Sequence, residues 1–143
     1  MRISTRGRYS LEALLFLALQ PADALHNTRA IAEHTGISDG YLEQLFMPLR
    51  QGGLIISIRG AQGGYRLGKN AAEISIGDIL RISEGSIEPV GCLANEPCGR
   101  EVECASRLTW SLLYNAITEC ADSINLADLV QAYSDDKRSE YAI

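Results

Sequence analysis

Apolar and polar positions alternate along this chain with two different periods, and the changes of period mark its elements. Tyr9–Leu19 is apolar on nearly every side, which predicts a deeply packed first helix. Pro21–Asn27 reads as a connector, and Thr28–Thr35 as a short helix with Asn27 or Thr28 as its N-cap and Gly36 placed to end it. A third helix is predicted from Ser38 as N-cap, with Ile37 and Leu42 spaced as the two halves of a hydrophobic staple. Within it, Leu42, Leu45, Phe46 and Leu49 make a buried stripe, while Pro48 predicts a kink or an early end.

The period then shortens. In Leu54–Arg59, Leu54, Ile56 and Ile58 alternate with Ser57 and Arg59, which predicts a strand with the isoleucines inward. A turn at Gly60-Ala61-Gln62-Gly63-Gly64 and a return strand Tyr65-Arg66-Leu67 complete a β-hairpin. Ser75–Ser83 is a further helix, Gly85–Glu103 is irregular, and Cys104 to about Ile124 is the longest helical pattern. A short helix, Leu126–Tyr133, closes the series. The expected fold is therefore mainly α with a small β-hairpin.

Three segments follow from this order. Residues 1–84 hold the first helices, the hairpin and a connecting helix, 85–103 a cysteine-bearing loop, and 104–143 a long C-terminal helix with a tail. Composition changes the picture in one respect. The net charge is −5, yet residues 1–70 hold eight Lys and Arg against five acids, whereas residues 71–143 hold five against thirteen. A positive half can meet nucleic acid while the other half stays acidic, because local potential steers binding. The arginines before Ala13–Leu19 and the Ala22-Asp23-Ala24 triplet have the outline of an export signal, but the run is only seven residues long and Glu12 abuts it. No stretch is long enough for a membrane span, so the chain is expected to be cytoplasmic.

Helix, glycine turn, helix is the arrangement that lays a second helix into the major groove of DNA. Asp39, Gly40, Glu43, Gln44, Met47, Arg50 and Gln51 lie away from the core stripe. Glu43 can accept from cytosine N4 and Gln44 can pair with adenine; the plain alternative is a solvated helical face. The glycine-tipped hairpin with Arg59 strengthens the DNA reading, since arginine in a narrow minor groove is a recurrent device. A phosphate-binding loop is excluded because Gly63-Gly64 leads to Tyr65 and no helix begins there.

The cysteines Cys92, Cys98, Cys104 and Cys120 all lie in the acidic half, the first three separated by five residues each. A disulfide framework is not expected in the cytoplasm, and the paired knuckles of structural zinc are missing. Loosely spaced thiolates suit an iron–sulfur cluster, with zinc or unligated thiols as alternatives. Sixteen steps of one straight helix would place Cys120 about 24 Å from Cys104. Cys120 also falls among Leu108, Leu112, Leu113, Ala116, Ile117 and Ile124, so it reads as a core or dimer-contact residue rather than a ligand. His26 and His34 read as exposed surface residues. A thiol-redox enzyme is disfavoured by the lack of a Cys-x2-Cys pair and of a paired base.

Taken together, Arg6-Gly7-Arg8-Tyr9, Tyr41-Leu42-Glu43-Gln44-Leu45-Phe46, the Arg59–Gly68 hairpin and the three spaced cysteines resemble the IscR-type family of dimeric winged-helix bacterial regulators. The resemblance runs from Met1 to about Ala132. It implies that Cys104–Ile124 is the dimerisation helix and that Cys92, Cys98 and Cys104 carry an iron–sulfur cluster, typically 2Fe–2S. It implies DNA contacts at Glu43, Gln44 and Arg59, with Arg50, Arg2, Arg6 and Gly60 as further candidates; the family's serine before this tyrosine is Gly40 here. Where the iron–sulfur biogenesis branch places a ligand histidine this chain has Arg107, and where the nitric-oxide-sensing branch uses an aspartate it has Arg8. The fourth ligand is thus open among Glu96, Glu101, Glu103, Glu12 of the partner subunit, and a solvent or thiol species.

The C-terminal Ser139-Glu140-Tyr141-Ala142-Ile143 is similar instead to the cysteine-metabolism repressor (CymR-type) branch, which responds through a protein partner. The expected partners are operator DNA and a second copy of the chain. The two branches add RNA polymerase or a cysteine-biosynthesis enzyme as candidate protein partners.

Overall fold

The computed structural model describes residues 1–94 and 98–141. Six helices and one two-stranded antiparallel sheet make up the described chain: α1 (Thr5–Ala18), α2 (Thr28–Thr35), α3 (Asp39–Gln51), β1 (Ile55–Ile58), β2 (Gly64–Leu67), α4 (Ile76–Glu84), α5 (Arg107–Ser123) and α6 (Leu126–Tyr141). Short 3-10 turns at Ala71–Glu73 and Gly91–Leu93 join the larger elements.

The core forms where the inner faces of α1, α2, α3 and α4 meet the start of the hairpin. Ala13, Leu14, Ile31, Leu42, Leu45, Phe46, Leu49, Leu54, Ile55, Ile74, Ile79 and Leu126 are all essentially inaccessible to solvent. All four residues of the stripe read in the third helix are among them, and the staple pair Ile37 and Leu42 is buried. Among helices, α1 is central; it packs against α2, α3, α4 and α6. The chain between α5 and α6 is tied back to the segment before α4 by two backbone bonds, Ile76 N–H to Ile124 O at 2.8 Å and Leu126 N–H to Ile74 O at 3.0 Å.

Several boundaries differ from the sequence reading, each for a local reason. The first helix starts at Thr5 rather than Tyr9, because the Ser4 hydroxyl accepts from the Gly7 N–H and caps it there. Pro48 does not end α3, which continues to Gln51. A proline interrupts only the bond its own nitrogen would donate, and the Pro48 carbonyl still accepts from Gly52 N–H at 2.9 Å. Cys104 lies outside α5, which begins at Arg107, and α6 runs eight residues past Tyr133. The long polar sequence of that last helix shows too little apolar periodicity to be read as helix.

In the hairpin the register pairs Ile55 with Leu67, Ile56 with Arg66, Ser57 with Tyr65 and Ile58 with Gly64. Ile55 is the fully buried residue, whereas Ile58 is 46% exposed at the tip. The expected inward face was therefore wrong by one position, since a one-residue shift turns every side chain of a strand over. His26 is also not a surface residue. Its backbone pairs with Tyr65, its ring meets Phe16 edge-on at 5.4 Å, and its Nε2 is buried. His34 is exposed as expected, although it too touches the Phe16 ring.

Candidate nucleic-acid interface and cysteine loop

The helix-turn-helix is built by three local devices. The Asn27 side chain accepts from Ala30 N–H at 2.8 Å and starts α2. Gly36 adopts φ 76°, the left-handed conformation that a glycine enters at little cost, and its N–H closes α2 on the Ala32 carbonyl. The Ser38 hydroxyl then accepts from Tyr41 N–H and opens α3. With the apolar stripe turned inward, all seven residues read as the outer face of α3, Asp39, Gly40, Glu43, Gln44, Met47, Arg50 and Gln51, are exposed.

A groove of about 390 Å³ separates α3 from the hairpin, and Glu43, Arg50, Arg59 and Gly60 all line it. The Arg50 guanidinium reaches across to the Ser57 hydroxyl at 3.4 Å, so helix and wing share a polar contact. Gln44 is exposed on α3 but does not line this groove. Arg2 and Arg6 are exposed at the start of α1 and also lie outside it; Arg2 and Arg8 border a separate hollow there. Sequence reasoning missed Ser57 as the partner of Arg50 and Asn27 and Thr28 as groove residues. No spacing signal reveals them, because they meet α3 only through the tertiary fold.

Arg59 projects at the hairpin tip, where Ile58 is outward as well. Replacing it with alanine should weaken operator binding and leave the oligomeric state unchanged, since it lines the groove and carries no core contact. A gel shift at fixed salt checks this; equal affinity for both proteins removes Arg59 from the interface. Gly64 positions the whole wing. It has φ 153°, and a Cβ there would stand 2.6 Å from the His26 carbonyl carbon and 2.7 Å from its oxygen. Gly64→Ala should cost about 1–3 kcal/mol through this strain and displace the wing from His26. Thermal unfolding reads the cost, and Gly60→Ala, which has open space around it, should lose less.

The cysteine loop leaves α4 at Gly85, whose φ of 82° turns the chain out of the helix. Just before it, the Glu84 carboxylate accepts from both the backbone N–H (3.2 Å) and the hydroxyl (2.6 Å) of Ser4, so the root of the loop is tied to the start of α1. Gly7 makes this possible: a side chain there would collide with that carboxylate.

Cys92 and Cys104 are half-buried, Cys98 and Cys120 are exposed, and all four are free thiols. Cys120 is thus not a core residue of the single chain. Among the described residues no three Cys, His, Asp or Glu side chains stand together as a group that could hold a metal ion.

Glu101 accepts from the N–H groups of Cys98 (2.9 Å) and Gly99 (3.3 Å). Its carboxyl is held below the usual range by the bond from its own N–H, then by those from Gly99 and Cys98, with the Arg107 charge adding to them. The Cys104 thiol is likewise lowered, first by the Ser106 hydroxyl 3.4 Å away and then by backbone donors at Ser106 and Arg107. The Arg107 guanidinium donates a long bond, 3.5 Å, to the Cys92 carbonyl and so joins the two ends of the loop. Glu103 is exposed, Glu12 is exposed on α1, and Glu96 lies outside the described residues.

An exposed second helix, a glycine turn before it and a basic groove against a two-stranded wing define a winged helix-turn-helix DNA-binding protein. Comparison with known proteins narrows that class. A model of the Rrf2 family, described as "Iron-dependent Transcriptional regulator", matches residues 3–132. The chain belongs to the Rrf2 family of transcriptional regulators.

It is 42% identical to the HTH-type transcriptional regulator CymR of Bacillus subtilis (strain 168), over 99% of this chain and 97% of that protein. It is 39% identical to the HTH-type transcriptional regulator IscR of Pectobacterium atrosepticum, over 91% of this chain and 79% of that one. Among solved structures, that of CymR, the global cysteine regulator of B. subtilis, superposes with a TM-score of 0.76 at 39% identity, covering 92% of this chain and 98% of that chain. T. potens IscR gives a TM-score of 0.76 at 35% identity, covering 93% and 88%. The protein is accordingly a DNA-binding transcription regulator, and its relatives are regulators rather than enzymes. Among the described residues no helix is long and apolar enough to cross a membrane.

Proposed function

We propose that this regulator works as a cytoplasmic homodimer whose operator binding is set by an iron–sulfur cluster, 2Fe–2S in type, and that it controls genes for assembling such clusters. The observation that carries the reading is the placement of Cys92, Cys98 and Cys104: three unpaired thiols on one loop that leaves α4 beside the Glu84–Ser4 tie and enters α5. Soft thiolates are the donors iron–sulfur clusters take, and the donor set fits in kind. When bound, the group would supply a redox- and oxygen-sensitive crosslink between those cysteines. The chain's own residues do the rest. Glu101 and Arg107 brace the loop, and Glu84 connects its root to Ser4, next to the basic start of α1. Glu43, Gln44, Arg50, Arg59 and Gly60 read the DNA, with Arg2 and Arg6 reaching the backbone. Glu101, already held by two loop amides, is engaged as a brace; Glu103 and Glu12 of the partner subunit are freer candidates for the fourth ligand.

The homodimer reading is supported by α5, which leaves Leu108 68%, Leu112 61% and Leu113 44% exposed. Leu108 and Leu112 stand one turn apart with Leu113 beside them, an exposed apolar patch that a second copy of α5 would cover. Within this scheme residues 1–84 are the reading head, 85–103 the sensing loop and 104–143 the dimerisation segment.

A second reading is favoured by the end-to-end match to CymR, which spans 99% of this chain. It makes the protein a cysteine-metabolism repressor responding through a cysteine-biosynthesis enzyme. Anaerobic purification separates the two. Visible absorbance with stoichiometric iron and sulfide supports the cluster; colourless, iron-free protein whose operator binding responds to such an enzyme supports the second. Colourless protein with bound zinc sinks both.

A further inference from the structure

On the side of the hairpin away from the DNA groove lies a cavity of about 470 Å³, within the range of small-molecule sites. Directly paired residues of an antiparallel sheet share a face, so Ile56 and Arg66 point one way and Ser57 and Tyr65 the other. Ser57 and Tyr65 line the groove beside α3, and Ile56 and Arg66 line the cavity behind. Leu17 and Ala18 at the end of α1 and Leu67 of β2 belong to its apolar lining.

The polar lining is one-signed. Arg66 and Lys69 both border the cavity, its other polar side chains are the amides of Gln20 and Asn70, and no acid lines it. Among the described residues neither Arg66 nor Lys69 makes an ion pair, while Arg29 and Arg81 do. The Asn70 oxygen is engaged by Ala72 N–H at 3.0 Å, which leaves the amide's NH2 to donate outward. A half-buried arginine and an exposed lysine beside an apolar floor match a ligand that has an anionic end and a hydrocarbon body.

We propose that this cavity is an effector site for a small organic acid, its carboxylate held by Arg66 and Lys69 and its apolar part resting on Leu17, Ala18 and Ile56. Since Ile56 and Arg66 belong to the two strands whose connecting turn holds Arg59 and Gly60, occupancy bears on the wing from behind and changes its lean toward DNA. The binding itself does not depend on the cluster reading, and it is measured without DNA.

The test uses the full chain and phenylacetate as probe, followed by backbone amide shifts, with neutral phenylacetamide as control. Phenylacetate should shift the amides of Ile56 and of residues 66–70 and bind about tenfold or more tightly than the amide. Arg66→Ala with Lys69→Ala should remove that preference. Ala22→Phe, at an exposed residue of the rim, should block the cavity while keeping both cations and the fold. Phenylacetate binding that survives both variants, or that shifts no residue of the cavity, overturns the proposal. So does a double variant whose sole defect is a shallower salt dependence of operator binding, because the two cations would then be gripping DNA phosphates.

Discussion

Replacing Cys92, Cys98 or Cys104 singly by alanine should abolish or severely reduce the iron content of anaerobically prepared protein, and Cys120→Ala should retain it. Each of the first three removes one thiolate of the proposed set. Cys120 sits thirteen residues into α5 from Arg107, about 20 Å along the helix, so it cannot join a group at the loop without unwinding the helix. Its exposure in the single chain places it on the surface of α5, so dimer stability is the property its loss should touch. Iron, acid-labile sulfide and visible absorbance on the four variants decide the matter. Should Cys120→Ala alone lose its iron, the site draws on α5 and the loop assignment fails.

The second large effect lies under the DNA-reading surface. Phe46 is 1% exposed on the inner face of α3, with its ring 4.7 Å from that of Tyr65 in β2. Phe46→Ala should cost about 3–5 kcal/mol, because the contacts of a large aromatic ring are lost and a well-packed core closes only partly around the hole. Small domains are held by only about 5–15 kcal/mol, so the denaturant midpoint should fall steeply. Operator binding should fail with it, because Phe46 is the contact that seats the recognition helix against the wing. Gln44→Ala, two residues away on the exposed side, should do the opposite: stability stays, and one base position loses about 1–3 kcal/mol of discrimination. A urea titration and a randomised-operator selection on both variants test the pair. A midpoint for Phe46→Ala within error of wild type would contradict the packing, and an unaltered base preference for Gln44→Ala would remove it from base contact.

Much of the head is legible in the sequence. The bounds of α2, the Ser38 cap, the Gly36 turn and the inner stripe of α3 all rest on interactions within a few residues, and local spacing encodes those directly. The same holds for the seven exposed positions of α3, since a 3.6-residue period with one buried stripe leaves the opposite face outside. The cysteine spacing and the charge division between the halves were equally plain in the chain itself.

What tertiary structure alone decided has a common cause: partners distant in sequence. Which face of the hairpin is buried depended on where α1 and α3 stand, and the answer buried Ile55 and left outward the Ile58 that was expected inside. His26 is drawn inside by the Tyr65 backbone thirty-nine residues on, and Ser4 meets a carboxylate eighty residues away. Cys104 falls short of α5 and is bound instead into a loop braced by Glu101 and Arg107. Periodicity reports only which side of an element prefers to be covered. The element that covers it is chosen by the packing of the whole chain, and for the exposed leucines of α5 the proposed cover is a second chain.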